Sequence, residues 1–492
     1  MPRPYKSAYH PVTPARAAMT GTAERTPMTD NVRPGKNRIL VIGHDRVDVQ
    51  MAGQGVRFWE LARALSREFS VTLAVPNETS LAGEGLDLLT YPRKEATELE
   101  DRACHGADVV VTSPYLFHQF PWMRELPIPV VADVNVPVAA ESLAWHTSSP
   151  RERQHESYRY SWQVTQAVAQ HADFLICPGE RQRDYWLGVL AAYGRLHPDL
   201  YALDPELRTL IDTVPFGCQP TPPQGAPALK GVIPGIGTKD QVILWAGGIW
   251  NWFDPITLLQ ALPQVLARHP QARLVFLGAD HPDSERIPEM EQARQARAMS
   301  REMGLEGVSI FWVPWVAYEE RGAYLLDADV GVSLHKRGIE SRLAFRTRLL
   351  DSIWAGLPMV LSRGDVLAQE LEKTGAALTV EAGAVEAVAQ ALNTLLDDPD
   401  TRSVRAAAFD RLRARYAWEQ VTRPLKQFCH APYKGPSRQE ALGLLQAQGD
   451  KRIADLESEN MRLTNLVYGY ESGRVMRILS TFHQIRSRLK RQ

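Results

Sequence analysis

Cysteine is scarce in this chain. Among 492 residues there are four, Cys104, Cys177, Cys218 and Cys429, far apart and without a CxxC pair. That spacing argues against a zinc site and a disulfide framework, and it fits a reducing, cytoplasmic setting. Net charge is missing too. The 56 Lys and Arg stand against 57 Asp and Glu, a formal charge of −1, so no chain-wide basic field exists to hold nucleic acid. No apolar run approaches the roughly 18 residues of a membrane span. Residues 1–36 are rich in Pro, Thr and Arg and lack the apolar centre of a signal peptide. They are expected to form a disordered tail, with Met19 and Met28 as alternative starts. G-x-G-x-x-G, P-loop and G-x-S-x-G motifs are absent.

What is present is ordinary for a globular protein: 44% hydrophobic and 23% charged residues. A single core rarely exceeds about 250–300 residues, so at least two domains are expected. The pattern agrees. Asn37–Gly43 reads as a buried parallel strand. It runs through the glycine loop Met51-Ala-Gly-Gln-Gly55 into a helix with apolar residues at 58, 61, 62 and 65. A strand at 70–75 completes a βαβ unit. Further strands are expected at 107–112, 128–133 and 172–177.

Residues 219–239 are dense in proline and glycine and read as a linker. A second alternation follows, with strands at 241–246, 272–277, 308–312, 328–334 and 357–361. The expectation is an α/β chain of two doubly wound, Rossmann-like units facing a cleft: 37–218 and 240–430. Residues 431–492 form a helical extension. There Ile453, Asn460 and Val467 interleave with Leu456, Leu463 and Tyr470 in two sets seven apart, an a/d seam with Asn at a central a position. Beyond it, Arg474, Arg477, Arg486, Arg488, Lys490 and Arg491 lie among apolar residues with no acid between them. The seam predicts a homodimer. The basic end predicts peripheral contact with anionic lipid, the alternative being a solvated helix packed on its own domain.

Two stretches could carry chemistry. In Trp245-Ala-Gly-Gly-Ile-Trp-Asn-Trp-Phe-Asp-Pro255 two glycines follow a strand and open onto a helix. Gly247 and Gly248 allow close backbone approach to a phosphate, with Asn251 beside them. A plain β–α turn capped by Asp254-Pro255 is the simpler reading. The second stretch runs from His335 to Val360. Phe345, Leu349 and Ile353 are four apart and predict the buried stripe of a helix over 344–355. Thr347 and Asp351 share a more polar face. Arg342 and Arg346 sit at or before the helix start, where cations oppose the macrodipole unless an anion is bound. Arg348 and Asp351 also fit an ordinary surface pair. Asp327-Ala-Asp329 matches a metal motif by letter, but it ends a helix and enters a strand core, so no metal is expected.

Glu340, Phe345-Arg-Thr-Arg348, Asp351 and Trp354-Ala-Gly-Leu-Pro-Met-Val360 resemble the donor-binding region of GT-B glycosyltransferases of family 4. The 51–65 stretch is similar to that family's N-terminal glycine loop and helix, and Tyr416-Ala-Trp-Glu419 to the segment before its closing helix. The resemblance implies a retaining transferase that moves a sugar from a nucleotide-diphosphate sugar to a glycan or lipid-linked acceptor, without metal or resident cofactor. Cell-surface polysaccharide assembly is the expected setting, in the cytoplasm or at the inner face of the membrane. By position it implies that Asp351 contacts the donor ribose; Glu340, the nearest acid, and Arg346, by its charge, are the other catalytic candidates. Leu343 stands where family spacing puts the first glutamate, and Glu340 is the nearest acid. Ile249 and Trp250 replace the family's basic pair, which leaves Arg346 and Arg348 as diphosphate ligands and Thr347 beside them. For a phosphate loop or the acceptor side, Gly53, Gly55, Asp133 and Asn135 are the candidates, with Glu141 nearby. Asn135 takes the place of a family histidine. A nucleotide-sugar epimerase or hydrolase of the same fold, and a catalytically degenerate scaffold, are the alternatives.

Overall fold

The computed structural model describes residues 36–93, 96–435, 450–467 and 474–489. The expected tail before Lys36, the seam position Tyr470, and Lys490 and Arg491 lie outside the described residues.

The first half builds a seven-stranded sheet from β1 (Arg38–Ile42), β2 (Ser70–Val75), β3 (Asp87–Thr90), β4 (Val109–Thr112), β5 (Val130–Asp133), β6 (Phe174–Cys177) and β7 (Ile211–Thr213). Their order is β3-β2-β1-β4-β5-β6-β7. The second half builds six: β8 (Gln241–Ala246), β9 (Ala272–Leu277), β10 (Ile310–Val313), β11 (Val330–Ser333), β12 (Met359–Ser362) and β13 (Ala377–Val380). Their order is β10-β9-β8-β11-β12-β13. Every ladder is parallel. Strands such as Val109–Thr112 and Met359–Ser362 are buried at every position, as helices on both faces require. In each sheet the order reverses beside the first strand. Ligands bind outside the carboxyl ends of strands at such points.

Three strands were not expected, β3, β7 and β13. The four residues of β3 are exposed or half-buried at an edge, so they lack the buried run that marks its neighbours.

The expected helix over 344–355 is broken. A short helix spans Ile339–Leu343 and a second spans Thr347–Ala355. Ala344 and Arg346 between them are extended. Phe345 therefore lies outside the helix, while Leu349 and Ile353 form its buried stripe. The break lets Arg346 fold back onto Glu340, six residues earlier. In a continuous helix residues six apart do not share a face.

The linker is laid on the second half. Asp327 accepts backbone N–H groups of Ala228, Leu229 and Lys230, and Asp329 pairs with the Lys230 ammonium at 2.7 Å. The D-x-D letters thus serve the backbone. Residues 240–430 were expected to form one unit, but from Trp418 the chain returns to the first half. Phe428 stacks on Phe174, Lys426 pairs with Glu68 at 2.7 Å, and Gly435 N–H donates to Asp173. Apolar Leu425, Phe428 and Cys429 are buried there.

Residues 450–467 and Arg474–Leu489 are helical. Ile453, Leu456, Leu463 and Val467 are exposed, as are Ile478, Leu479, Phe482 and Ile485. No helix among the described residues is long and apolar enough to cross a membrane.

Candidate active site

A cleft of about 630 Å³ lies between the halves. It is lined by residues that follow β1, β5, β8, β9 and β10: His44, Asn135, Gly247, Gly278 and Trp315. It thus opens outside the carboxyl ends of both sheets.

One corner is cationic. Gly247, just after β8, has φ +96°, a conformation that suits glycine, and a side chain there would point toward the Arg348 guanidinium. Arg348, from the first turn of helix Thr347–Ala355, donates to the Gly248 carbonyl at 2.5 Å and lies over the Phe253 ring at 4.0 Å. Its Nη1 is buried and has no hydrogen-bond partner among the described residues. Burial, and then the neighbouring Arg346, push it down to about 9, still cationic at neutral pH. Arg346 is itself buried and grips Glu340 through two bonds of 2.9 and 2.7 Å. Its Nε has no partner among the described residues. Two guanidiniums, a glycine backbone and a helix N-terminus therefore converge, an arrangement that attracts an anion.

Asp351, one turn along, is held by Arg321. The Arg321 Nε donates to Asp351 Oδ1 at 3.0 Å, and its guanidinium sits between the rings of Tyr318 (3.6 Å) and Trp354 (4.5 Å). Tyr318 donates to Glu60 of the first half at 3.1 Å. Burial pushes the Glu60 carboxyl up. The chain from Glu60 to Asp351 thus crosses the cleft floor.

An aromatic wall closes the next side. Trp250 stacks on Trp252 at 5.5 Å, Trp145 from the first half leans on both, and His281 touches Trp250 and Trp315. Glu141, on the same short helix as Trp145, lines the cleft beside the Glu340–Arg346 pair. Burial, and then the Glu340 charge, push its carboxyl up to about 7.

The candidates named from sequence divide clearly. Arg346, Thr347, Arg348, Asp351, Gly247, Gly248, Gly53 and Asn135 all line the cleft. Glu340 lies behind Arg346 and does not line it. Asn251 also lies outside the lining; its amide donates to the Trp145 carbonyl at 2.7 Å and accepts from Gln292. Gly55 is packed against the Arg46 carbonyl, with no room for a Cβ. Asp133 is fully buried, paired with the equally buried Arg57 at 2.8 and 3.0 Å and accepting from Asn135 at 3.0 Å. It orients Asn135 from beneath. Sequence reasoning missed Tyr318, Arg321, Trp145, His281 and Trp315. A cation between two aromatics 3 and 33 positions away leaves no local pattern. The unusual tryptophan density around 245–252 was the one available signal. Among the described residues no cluster of His, Cys, Asp or Glu could hold a metal ion.

Residues 240–398 match the family model of glycosyl transferases group 1. The D-inositol 3-phosphate glycosyltransferase of Corynebacterium urealyticum is 25% identical over 213 residues, 42% of this chain and 48% of that protein. The chain spans about half the length of this curated relative. The fold is similar to that of Anabaena HepE in complex with UDP-glucose, with a TM-score of 0.57 and 11% identity over 84% of this chain and 100% of the other. It is also similar to WaaG, a glycosyltransferase involved in lipopolysaccharide biosynthesis, with a TM-score of 0.55 and 14% identity over 79% and 98%. The chain has the two-sheet GT-B fold of these structures, and its residues 240–398 are similar to the group 1 glycosyl transferases.

Proposed function

We propose that the chain transfers a glycosyl group from a nucleoside-diphosphate sugar to an acceptor hydroxyl in the cleft. The observation that carries this reading is the buried, incompletely paired Arg346–Arg348 corner beside Gly247 and Gly248. Both arginines and the N–H groups at the start of helix Thr347–Ala355 would hold the diphosphate. Asp351, with one oxygen on Arg321, would present the other to the ribose. Glu340 would act through Arg346, fixing the plane of its guanidinium. HepE in complex with UDP-glucose supports such a donor.

Departure of the nucleoside diphosphate is the charge-developing event. Fixed cations in the cleft would stabilise that charge without reorganising, and the facing halves would hold donor and acceptor at reacting distance. Retention of configuration rests on the family 4 resemblance: the departing phosphate oxygen takes the acceptor proton on the same face. On the first half, Asn135 and Glu141 line the cleft and would meet an acceptor hydroxyl. WaaG, with its part in lipopolysaccharide biosynthesis, supports a role in cell-surface polysaccharide assembly. The exposed apolar seam of 450–467 would pair with a second copy. The amphipathic helix Arg474–Leu489 would rest on anionic lipid. Deleting residues 450–492 should abolish co-sedimentation with anionic vesicles; unchanged binding refutes the tail's role.

Calorimetry with UDP, GDP and ADP and their sugars tests the central reading. One nucleoside diphosphate should bind, and its sugar should be consumed faster when an acceptor is present. If none binds the full chain, the reading is wrong.

A further inference from the structure

The cleft holds a second group of cations that donor binding does not use. Arg93 follows β3 in the first half, and Arg286 belongs to the stretch between β9 and helix Glu291–Glu302 in the second. Both line the cleft. Arg286 is matched by carboxylates, Asp283 at 3.0 Å and Asp45 at 3.7 Å. Arg93 has no carboxylate partner among the described residues; it donates to the His44 carbonyl at 3.0 Å. Its backbone is fixed by Gln119, which donates to the Arg93 carbonyl at 2.5 Å. Beside them His44 is half-buried in the cleft wall, and its Nδ1 is buried with no partner among the described residues. Burial pushes the imidazole down to about 4, so it is neutral at physiological pH.

Two guanidiniums of separate halves feel each other here: burial and then Arg286 push Arg93 down. The charges acting on Arg93 are Arg286, Tyr91, Asp283 and Asp45, whereas those acting on Arg348 are Arg346 and Asp351. Arg93 is seated on the His44 carbonyl and Arg286 on Asp283, whereas Arg348 is seated on the Gly248 carbonyl, so the two cationic groups have separate partners in the cleft. An oxyanion at Arg93 would supply the missing countercharge and a partner for the imidazole, with Arg286 flanking it from across the gap. Charge-assisted bonds from guanidinium to phosphate or carboxylate are the strong ones.

We propose that Arg93, Arg286 and His44 form a subsite for an oxyanionic group, a phosphate monoester or a carboxylate, carried by the acceptor. This rests on the glycosyl-transfer reading and assigns the acceptor's chemical class.

The test loads the full chain with saturating nucleoside diphosphate, then titrates glucose 6-phosphate, glucuronate and glucose by calorimetry. At least one anionic sugar should bind, glucose should not, and the better anion identifies the group. Arg93→Gln and Arg286→Gln should each weaken that binding about tenfold or more, with nucleotide affinity unchanged. Arg93→Lys should recover part of it. The subsite is refuted if neither anion binds better than glucose, or if Arg93→Gln binds them as wild type does. If no nucleoside diphosphate binds, the donor reading has failed. The same titration on the unloaded chain then decides the subsite by its loss in Arg93→Gln and its retention in Arg348→Met.

Discussion

Replacing Arg348 by methionine should move stability and nucleotide affinity in opposite directions. The side chain gives up one bond to the Gly248 carbonyl and its place over Phe253. The first, with a charged donor, is worth about 1.5–3 kcal/mol and the second about 0.5–2 kcal/mol. Against this stands a buried cation with an unpartnered Nη1 and a second guanidinium beside it. Keeping an ion out of water costs several kcal/mol even after relaxation, and methionine removes that cost while filling most of the volume. The folded protein should therefore melt at the same temperature or higher. Diphosphate binding should suffer, because a charge-assisted bond of about 1.5–3 kcal/mol is lost. At 1.4 kcal/mol per decade that is about a 10- to 100-fold weaker Kd. Thermal shift reads both quantities: the apo midpoint directly, and the affinity from the shift at graded nucleotide concentrations. A drop of several degrees in the apo midpoint with unchanged nucleotide affinity would refute the argument. It would show that Arg348 is a structural strut of the Gly247–Gly248 turn.

Other outcomes follow from the same geometry. Glu141 titrates near 7 in the fold and near 4.5 when unfolded, so the native state binds the extra proton between those values. Stability should fall as pH rises from about 4.5 through 7, and the melting temperature of Glu141→Gln should lack that fall; parallel profiles would remove the assignment. Asp133→Ala leaves Arg57 buried and unpaired, and should cost about 3–5 kcal/mol in urea unfolding. Asp351→Ala should stay folded and lose transfer; the reverse pattern would return Asp133 to the acceptor site. Gly217→Ala places a Cβ 2.6 Å from the Trp418 ring and should destabilise by about 1–3 kcal/mol, measured by the same titration.

Strand–helix alternation was legible because buried parallel strands are short apolar runs with turn residues at their ends. The edge strand β3 was not, since its Asp87–Thr90 segment is covered too little to need apolar residues. Around the site, the Phe345–Arg348 stretch was legible through its charge: arginines at a helix start conflict with the dipole, and the conflict pointed to residues that line the cleft. The four-residue spacing of Phe345, Leu349 and Ile353 misled, because the Arg346–Glu340 pair outweighs one more helical turn. Asp133 and Asn251 have polar side chains of the right kind at strand ends, yet their partners, Arg57 and the Trp145 carbonyl, lie 76 and 106 residues away. Only the tertiary fold shows that both are spent. Arg321 escaped notice for the same reason: Asp351 is 30 residues distant.

The return of the chain at Trp418 has a mechanical consequence. The two halves are joined by two passages, one through Phe216–Gln219 and one through Tyr416–Trp418, and these lie side by side. Cys218 N–H donates to the Tyr416 carbonyl, and Trp418 N–H donates back to Cys218. Any rotation of one half against the other must turn about this double-threaded hinge, whose pitch is set by the contact of Gly217 with the indole. Phe216, Gly217 and Trp418 also line the cleft. A ligand that reaches these residues would touch the axle itself, and occupancy would then bear on the angle between the halves through one tryptophan.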